Sequence, residues 1–171
     1  MGNQSKFTKL DGIEFFKRGK VREIYNLKDK FLMVATDRIS CFDVILPTEI
    51  PRKGEILTSL SIFWLEFTKD IIPNHFITAN VEDFPEELQK YKDVLKGRSM
   101  LVKKAEPIPV ECVVRGYLAG SGWKEYQKTQ SICGVKLPEG LRESDKLPDT
   151  IFTPSTKEEE GHDINVSYEY V

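Results

Sequence analysis

At 171 residues the chain has the length of one domain, or of two small lobes sharing a cleft, and folding at this size buries roughly 70% of the unfolded chain's surface. Its 40% hydrophobic, 11% aromatic and 30% charged residues exclude disordered, collagen-like and coiled-coil chains, and no apolar run reaches the roughly 20 residues of a membrane span. The formal charge of −2 hides a mild asymmetry, 18 Lys and Arg against 15 Asp and Glu over residues 1–104 and 7 against 12 over 105–171, and so slight a basic excess gives no argument for a nucleic-acid partner.

In chain order, residues 15–25 read as two short strands broken by Arg18-Gly19-Lys20, and residues 31–36 as a third behind the turn Lys28-Asp29-Lys30, together an antiparallel meander. Between Gly54 and Ile71 the period changes. Leu57, Leu60, Phe63, Trp64, Phe67 and Ile71 recur at three- and four-residue steps, which predicts an amphipathic helix. Pro85-Glu86-Glu87-Leu88 opens a short helix, with proline at its first turn and acids at the positive end of the dipole. Strands are predicted over residues 100–104 and 110–115, on either side of Pro107 and Pro109. A helix over 122–129 and a small hairpin over 131–138, centred on Gly134, follow. Residues 140–161, charged and poor in apolar side chains, read as an extended surface segment.

Cys41, Cys112 and Cys133 are odd in number and widely spaced, and the histidines are His75 and His162, so neither a disulfide framework nor a zinc site is predicted. The polar residues 1–9 lack a secretory apolar stretch, which makes the cytoplasm the expected location.

Four stretches gather groups able to do chemistry. Arg18-Gly19-Lys20-Val21-Arg22 sets a glycine among three cations at a strand-to-strand turn, where N–H groups and charge converge on phosphates. A solvated basic hairpin has the same composition, and the pattern is not a Walker loop. Asp37-Arg38-Ile39-Ser40-Cys41-Phe42-Asp43 places two acids, a cation and a hydroxyl in one loop, either a site or a turn closed by its own Asp and Ser. From Ile108 to Gly122, a strand bearing Glu111 and Arg115 runs into Gly120-Ser121-Gly122. Ser121 there stands where a helix exposes free N–H groups, a seat for anions, and Arg115 can grip a carboxylate or phosphate through two N–H groups. The plain alternative pairs Glu111 with Arg115 and makes Gly120 and Ser121 a helix cap. Last, Phe152-Thr153-Pro154-Ser155-Thr156-Lys157 precedes Glu158-Glu159-Glu160-Gly161-His162-Asp163. The His-Asp pair is a general-base candidate, but no nucleophile motif accompanies it, and a structural pair beside a solvated acidic face is the better reading.

The order and spacing of Gly19-Lys20-Val21-Arg22-Glu23-Ile24-Tyr25, of residues 32–43, of 109–121 and of 152–163 resemble the SAICAR synthetase (phosphoribosylaminoimidazole-succinocarboxamide synthase) family, from about residue 12 to the end. The resemblance implies an ATP- and magnesium-dependent ligase of purine biosynthesis. It joins the carboxylate of carboxyaminoimidazole ribonucleotide to the amine of L-aspartate, giving SAICAR, ADP and phosphate. An α+β fold is implied as well. Residues 1–105 form an N-terminal lobe of antiparallel sheet and helices, akin to the small lobe of protein kinases and to ATP-grasp-like ligases. Residues 106–171 supply a connecting strand and the beginning of a larger α+β substrate lobe, with ATP between the two.

Carried onto this sequence, the resemblance lays Gly19, Lys20, Val21 and Arg22 over the ATP phosphates and sets Ile24 against the adenine. Val102, Lys103 and Ala105 become the strand whose backbone reads the adenine edge, and Glu111 joins the cofactor side. Arg115 and Ser121 hold the nucleotide substrate, Ser121 near its phosphate, while Ser40, Asp43, Lys157 and Asp163 line the substrate and aspartate side. Lys20, Arg115 and Lys157 are the implied catalytic cations. Partners are then these small molecules, without nucleic acid or membrane, and an oligomer is compatible. The family's magnesium ligands belong to a later Asp-x-Lys-x-Glu-Phe-Gly run that residues 1–171 do not contain, so no metal ligand is assigned. The expectation is that the chain docks ATP with little turnover, as a nucleotide-binding fragment of the enzyme.

Overall fold

Strand-length apolar stretches, interrupted at Gly19 and again at Lys28-Asp29, fold the start of the chain back on itself twice. In a computed structural model, which describes residues 8–42, 44–157 and 164–171, β1 (Glu14–Arg18), β2 (Arg22–Leu27) and β3 (Lys30–Ala35) form the expected antiparallel meander. The chain divides into two compact units, Met1–Ala105 and Glu106–Val171.

In the first unit the meander is followed by a hairpin of β4 (Ser40–Cys41) and β5 (Val44–Ile45), helix α1 (Lys53–Phe67), β6 (Phe76–Thr78), a 3-10 turn at Val81–Asp83, the short helices α2 (Glu86–Gln89) and α3 (Lys92–Leu95), and β7 (Ser99–Lys103). The sheet runs in the order β1-β2-β3-β7-β6, antiparallel throughout. Because side chains alternate across a sheet, Tyr25, Leu27, Leu32, Val34 and Leu101 share one face. There they bury against Leu10, Val81, Phe84, Leu88 and Leu95. Arg22, Ile24, Met33, Ala35, Met100 and Val102 occupy the other face, and α1 lies against it along β3 and β7.

How α1 docks follows from two residues. Asp37, just past β3, accepts the N–H groups of Gly54 (2.8 Å) and Arg52 (3.2 Å), placing a carboxylate at the positive end of the helix. A Cβ on Gly54 would stand 2.5 Å from the Ala35 carbonyl oxygen, so only glycine permits this approach. The predicted helix therefore forms, ending at Phe67 rather than Ile71, but its apolar stripe is not the buried face. Gly54 and Thr58 are buried, whereas Phe63, Trp64 and Phe67 are 55%, 56% and 65% exposed. The helix brings Gly54 and Thr58 closest to the sheet because close approach needs small residues; Leu57, Leu60 and Trp64 border a gap beside it, and Phe63 and Phe67 stay exposed.

The second unit pairs β8 (Val110–Glu111) with β13 (Ser155–Thr156), and β9 (Val114–Tyr117) with β12 (Lys146–Phe152). Helix α4 (Gly120–Thr129) and the hairpin of β10 (Ser131–Ile132) and β11 (Val135–Lys136) lie between them in sequence, and a 3-10 turn, Tyr168–Tyr170, comes last. Leu118, Tyr126, Ile132, Leu147 and Ile151 make its core. Cys133 (φ 50°) and Gly134 (φ 84°) are both left-handed, as a two-residue hairpin turn requires.

Two expectations are corrected here. The single strand over residues 110–115 is two strands with different partners, broken at Cys112-Val113. Residues 140–161 are not wholly a surface segment, because β12 sends Leu147 and Ile151 inward. Among the described residues, no helix is long and apolar enough to cross a membrane.

Candidate functional site

The turn joining β1 to β2 is closed by the Gly19 N–H, which donates to the Arg22 carbonyl at 2.8 Å. Its other carbonyls are held from beneath. That of Val21 accepts the backbone N–H (3.0 Å) and the hydroxyl (2.9 Å) of Thr36. Those of Lys20 and Gly19 accept Arg38 Nε (3.2 Å) and Nη2 (3.4 Å). Arg38 Nη1 donates to Glu23 Oε1 at 2.7 Å, and both side chains are 0% exposed. Glu23 further accepts Arg18 Nη2 (3.3 Å) and the Thr8 N–H (3.2 Å), so the buried charges are paired and hydrogen-bonded, as burial demands. Tyr25 donates its hydroxyl to the Thr8 carbonyl, and burial, with the Glu23 charge second, pushes its pKa up to about 12. At Gly19 a Cβ would meet nothing nearer than 3.6 Å, so packing alone does not require glycine there.

Below the turn, Arg22, Met33, Ala35 and Met100 of the sheet face Leu57, Leu60, Trp64 and Leu65 of α1 across an apolar cavity of about 370 Å³, with His75 on its wall. Ile24 shares this sheet face, half-buried, and Val102 is buried on it. The Lys103 N–H is committed to the His75 carbonyl at 2.8 Å, and Ala105 lies beyond the strand end. Ser40 sits in β4 opposite Ile45.

In the second unit β9 delivers Arg115 to the first turn of α4. Its Nε donates to Thr153 Oγ1 (3.0 Å) and its Nη2 to Ser121 Oγ (3.1 Å). Thr153 passes its own hydroxyl proton to the Val113 carbonyl (3.0 Å), which aims its lone pair at the guanidinium. A Cβ on Gly122 would lie 3.1 Å from Ile132 Cδ1 and 3.4 Å from Arg115 Nε, so glycine makes room for the arginine against the helix. The N-cap residue, Ala119, offers no side-chain cap to the first-turn N–H groups. A cation answered by hydroxyls, at the positive end of a ten-residue helix, is equipped to receive an anion.

Glu111 pairs with Lys157 across β8 and β13, and the alternative pairing of Glu111 with Arg115 does not occur, because the break at Cys112-Val113 sends the two residues to different strand pairs. Burial and, second, the Glu125 charge raise the pKa of the Cys133 thiol, which donates to the Pro154 carbonyl at 3.4 Å.

Of the residues read from the sequence, Gly19, Lys20, Val21, Arg22, Ile24, Ser40, Val102, Lys103 and Ala105 belong to the first unit, and Glu111, Arg115, Ser121 and Lys157 to the second. Asp43 and Asp163 lie outside the described residues, as do His162 and Glu158, Glu159 and Glu160. Thr36, Arg38 and Thr153 enter the site only through the fold, because a sequence does not show which cation is buried or which hydroxyl faces it. Among the described residues, no three His, Cys, Asp or Glu side chains are grouped to hold a metal ion.

The chain is similar to several known proteins. A phosphoribosylaminoimidazole-succinocarboxamide synthase of Thermodesulfovibrio yellowstonii is 64% identical over 162 residues, covering 95% of this chain and 56% of the relative. One from Geotalea uraniireducens is 60% identical over 163 residues, covering 95% and 55%. The solved SAICAR synthase of Saccharomyces cerevisiae, in complex with SAICAR, superposes with a TM-score of 0.83 at 46% identity, over 96% of this chain and 56% of that one. The chain spans about half the length of the relatives it matches. With residues 15–171 matching the sequence pattern of SAICAR synthetase, the chain belongs to the SAICAR synthetase family.

Proposed function

We propose that the chain supplies the ATP-binding lobe, and part of the ribonucleotide seat, for the ligation of carboxyaminoimidazole ribonucleotide with L-aspartate. The reaction has two steps. The γ-phosphoryl group of ATP passes to an oxygen of the imidazole carboxylate, releasing ADP. The aspartate amine then attacks the activated carbon, loses a proton and expels phosphate, leaving the amide of SAICAR. A carboxylate is a poor acyl donor without that activation, and most of the protein's contribution is positioning and charge neutralisation.

The observation that carries the reading is the Arg115 seat, a guanidinium directed by Ser121 and Thr153 over an uncapped helix start. It suits the phosphate or carboxylate of a ribonucleotide, and the yeast relative that shares 46% of its residues was solved with SAICAR bound. In the first unit, Lys20 and Arg22 with the glycine-turn N–H groups take the triphosphate, Ile24 walls the adenine, and the backbone from Val102 to Ala105 meets its edge. With the Lys103 N–H engaged, Lys104 and Ala105 carry that contact. Glu111 orients Lys157, and Ser40, Asp43 and Asp163 belong to the aspartate side. Magnesium would neutralise the phosphate oxygens, but among the described residues no group of carboxylates fits it. A cytoplasmic location and small-molecule partners alone belong to the same reading.

Calorimetric titration of the folded chain with ATP and, separately, with the ribonucleotide tests it, followed by ADP release when both substrates and magnesium are present. Saturable binding of both nucleotides is expected. A folded chain that binds neither would end the proposal.

A further inference from the structure

We infer that Arg38 is a positioning residue, which sets the phosphate-facing amides of the glycine turn from inside the protein. The inference rests on the reading that this turn receives ATP phosphates. In a trans peptide unit the N–H points opposite the preceding carbonyl, and none of the described peptide bonds is cis. The Gly19 and Lys20 carbonyls point inward to Arg38, and the Val21 carbonyl to Thr36. The N–H groups of Lys20 and Val21, opposed to those carbonyls, therefore point away from Arg38, a direction in which turn amides can meet an anion. Arg38 suits this task because its planar fork reaches two successive carbonyls with Nε and Nη2 while Nη1 stays on Glu23. The Glu23 carboxylate neutralises it, so it orients the turn without itself attracting the ligand. Asp37, the preceding residue, holds the start of α1, so one dipeptide fixes both the turn above the cavity and the helix beside it.

The test separates positioning from folding. Replacing the buried pair together, Glu23→Met with Arg38→Met, removes both charges and keeps the site apolar, a change that folded proteins commonly tolerate. ATP and adenosine affinities are measured by calorimetry for the parent and the variant. In the folded variant, ATP is expected to bind about tenfold to a hundredfold more weakly, the scale of losing preorganised contacts, while adenosine, which has no phosphates to be held, changes by less than about twofold. Equal ATP affinity in parent and variant, or equal loss of ATP and adenosine, would overturn the inference. Should the double variant not fold, Arg38→Lys decides by the same two affinities, since a lysine keeps the pair with Glu23 but lacks the fork. A parent that binds adenosine but not ATP sinks the reading of the glycine turn itself, a result the variants cannot mimic.

Discussion

Arg38 and Arg115 both donate to two or more oxygens from fixed positions, yet one is framework and the other is equipped for a ligand. What separates them is the charge of their partners. Arg38 faces the Glu23 carboxylate with no exposure to solvent, so its charge is spent inside the fold and its remaining N–H groups orient backbone carbonyls. Arg115 faces the hydroxyls of Thr153 and Ser121, which fix its direction without cancelling its charge. An arginine answered by a carboxylate in a dry place builds structure. One answered by hydroxyls at a helix start is held ready for an anion.

The sharpest way to break this contrast is to remove each guanidinium in turn. Arg38→Met leaves Glu23 buried without its closest partner and should cost about 3–5 kcal/mol of stability in urea unfolding, whereas Arg115→Met, which strands only hydroxyls, should cost about 1 kcal/mol. Equal losses would erase the distinction. Next, Lys20→Ala should weaken ATP binding by about 1.5–3 kcal/mol, the range for a charge-assisted hydrogen bond, and unchanged affinity by calorimetry would remove Lys20 from the phosphate site. Arg115→Lys keeps the charge but loses the planar fork, and ribonucleotide affinity should fall by about 1.5 kcal/mol with ATP affinity unaltered.

The smallest effect concerns the surroundings of Glu23. Tyr25 is pushed up to about 12 from an ordinary value near 10, so the fold favours its neutral form. That contribution to stability is fully present below about pH 10 and is lost as pH rises through about 12. Tyr25→Phe should cost about 1 kcal/mol at neutral pH and flatten the alkaline limb of the unfolding profile; an unchanged limb would assign it to other groups.

Much of the architecture was legible from short-range pattern. The meander shows in strand-length apolar pieces punctuated at Gly19 and Lys28-Asp29, and the β10–β11 hairpin in Gly134. Long-range packing was not. The stripe from Leu57 to Phe67 has the spacing of a core face, but the sheet takes the side carrying Gly54 and Thr58, a choice set by the Ala35 carbonyl rather than by hydrophobicity. Residues 110–115 look like one strand because Val110, Cys112, Val113 and Val114 are apolar, and only the partners β13 and β12 reveal the break. The site shows the same division. Arg115 and Ser121 could be read from one motif; Thr153, thirty-eight residues beyond Arg115, could not be matched to it without the β9–β12 pairing.

The most direct measurement is a crossed titration: ATP and the ribonucleotide, each into the parent, Lys20→Ala and Arg115→Lys, with folding verified by unfolding midpoint. Two anion sites in separate units require that Lys20→Ala weaken only ATP and Arg115→Lys only the ribonucleotide. If each variant weakens both ligands to the same extent, the two sites are not independent and the assignment of Arg115 to the substrate is wrong.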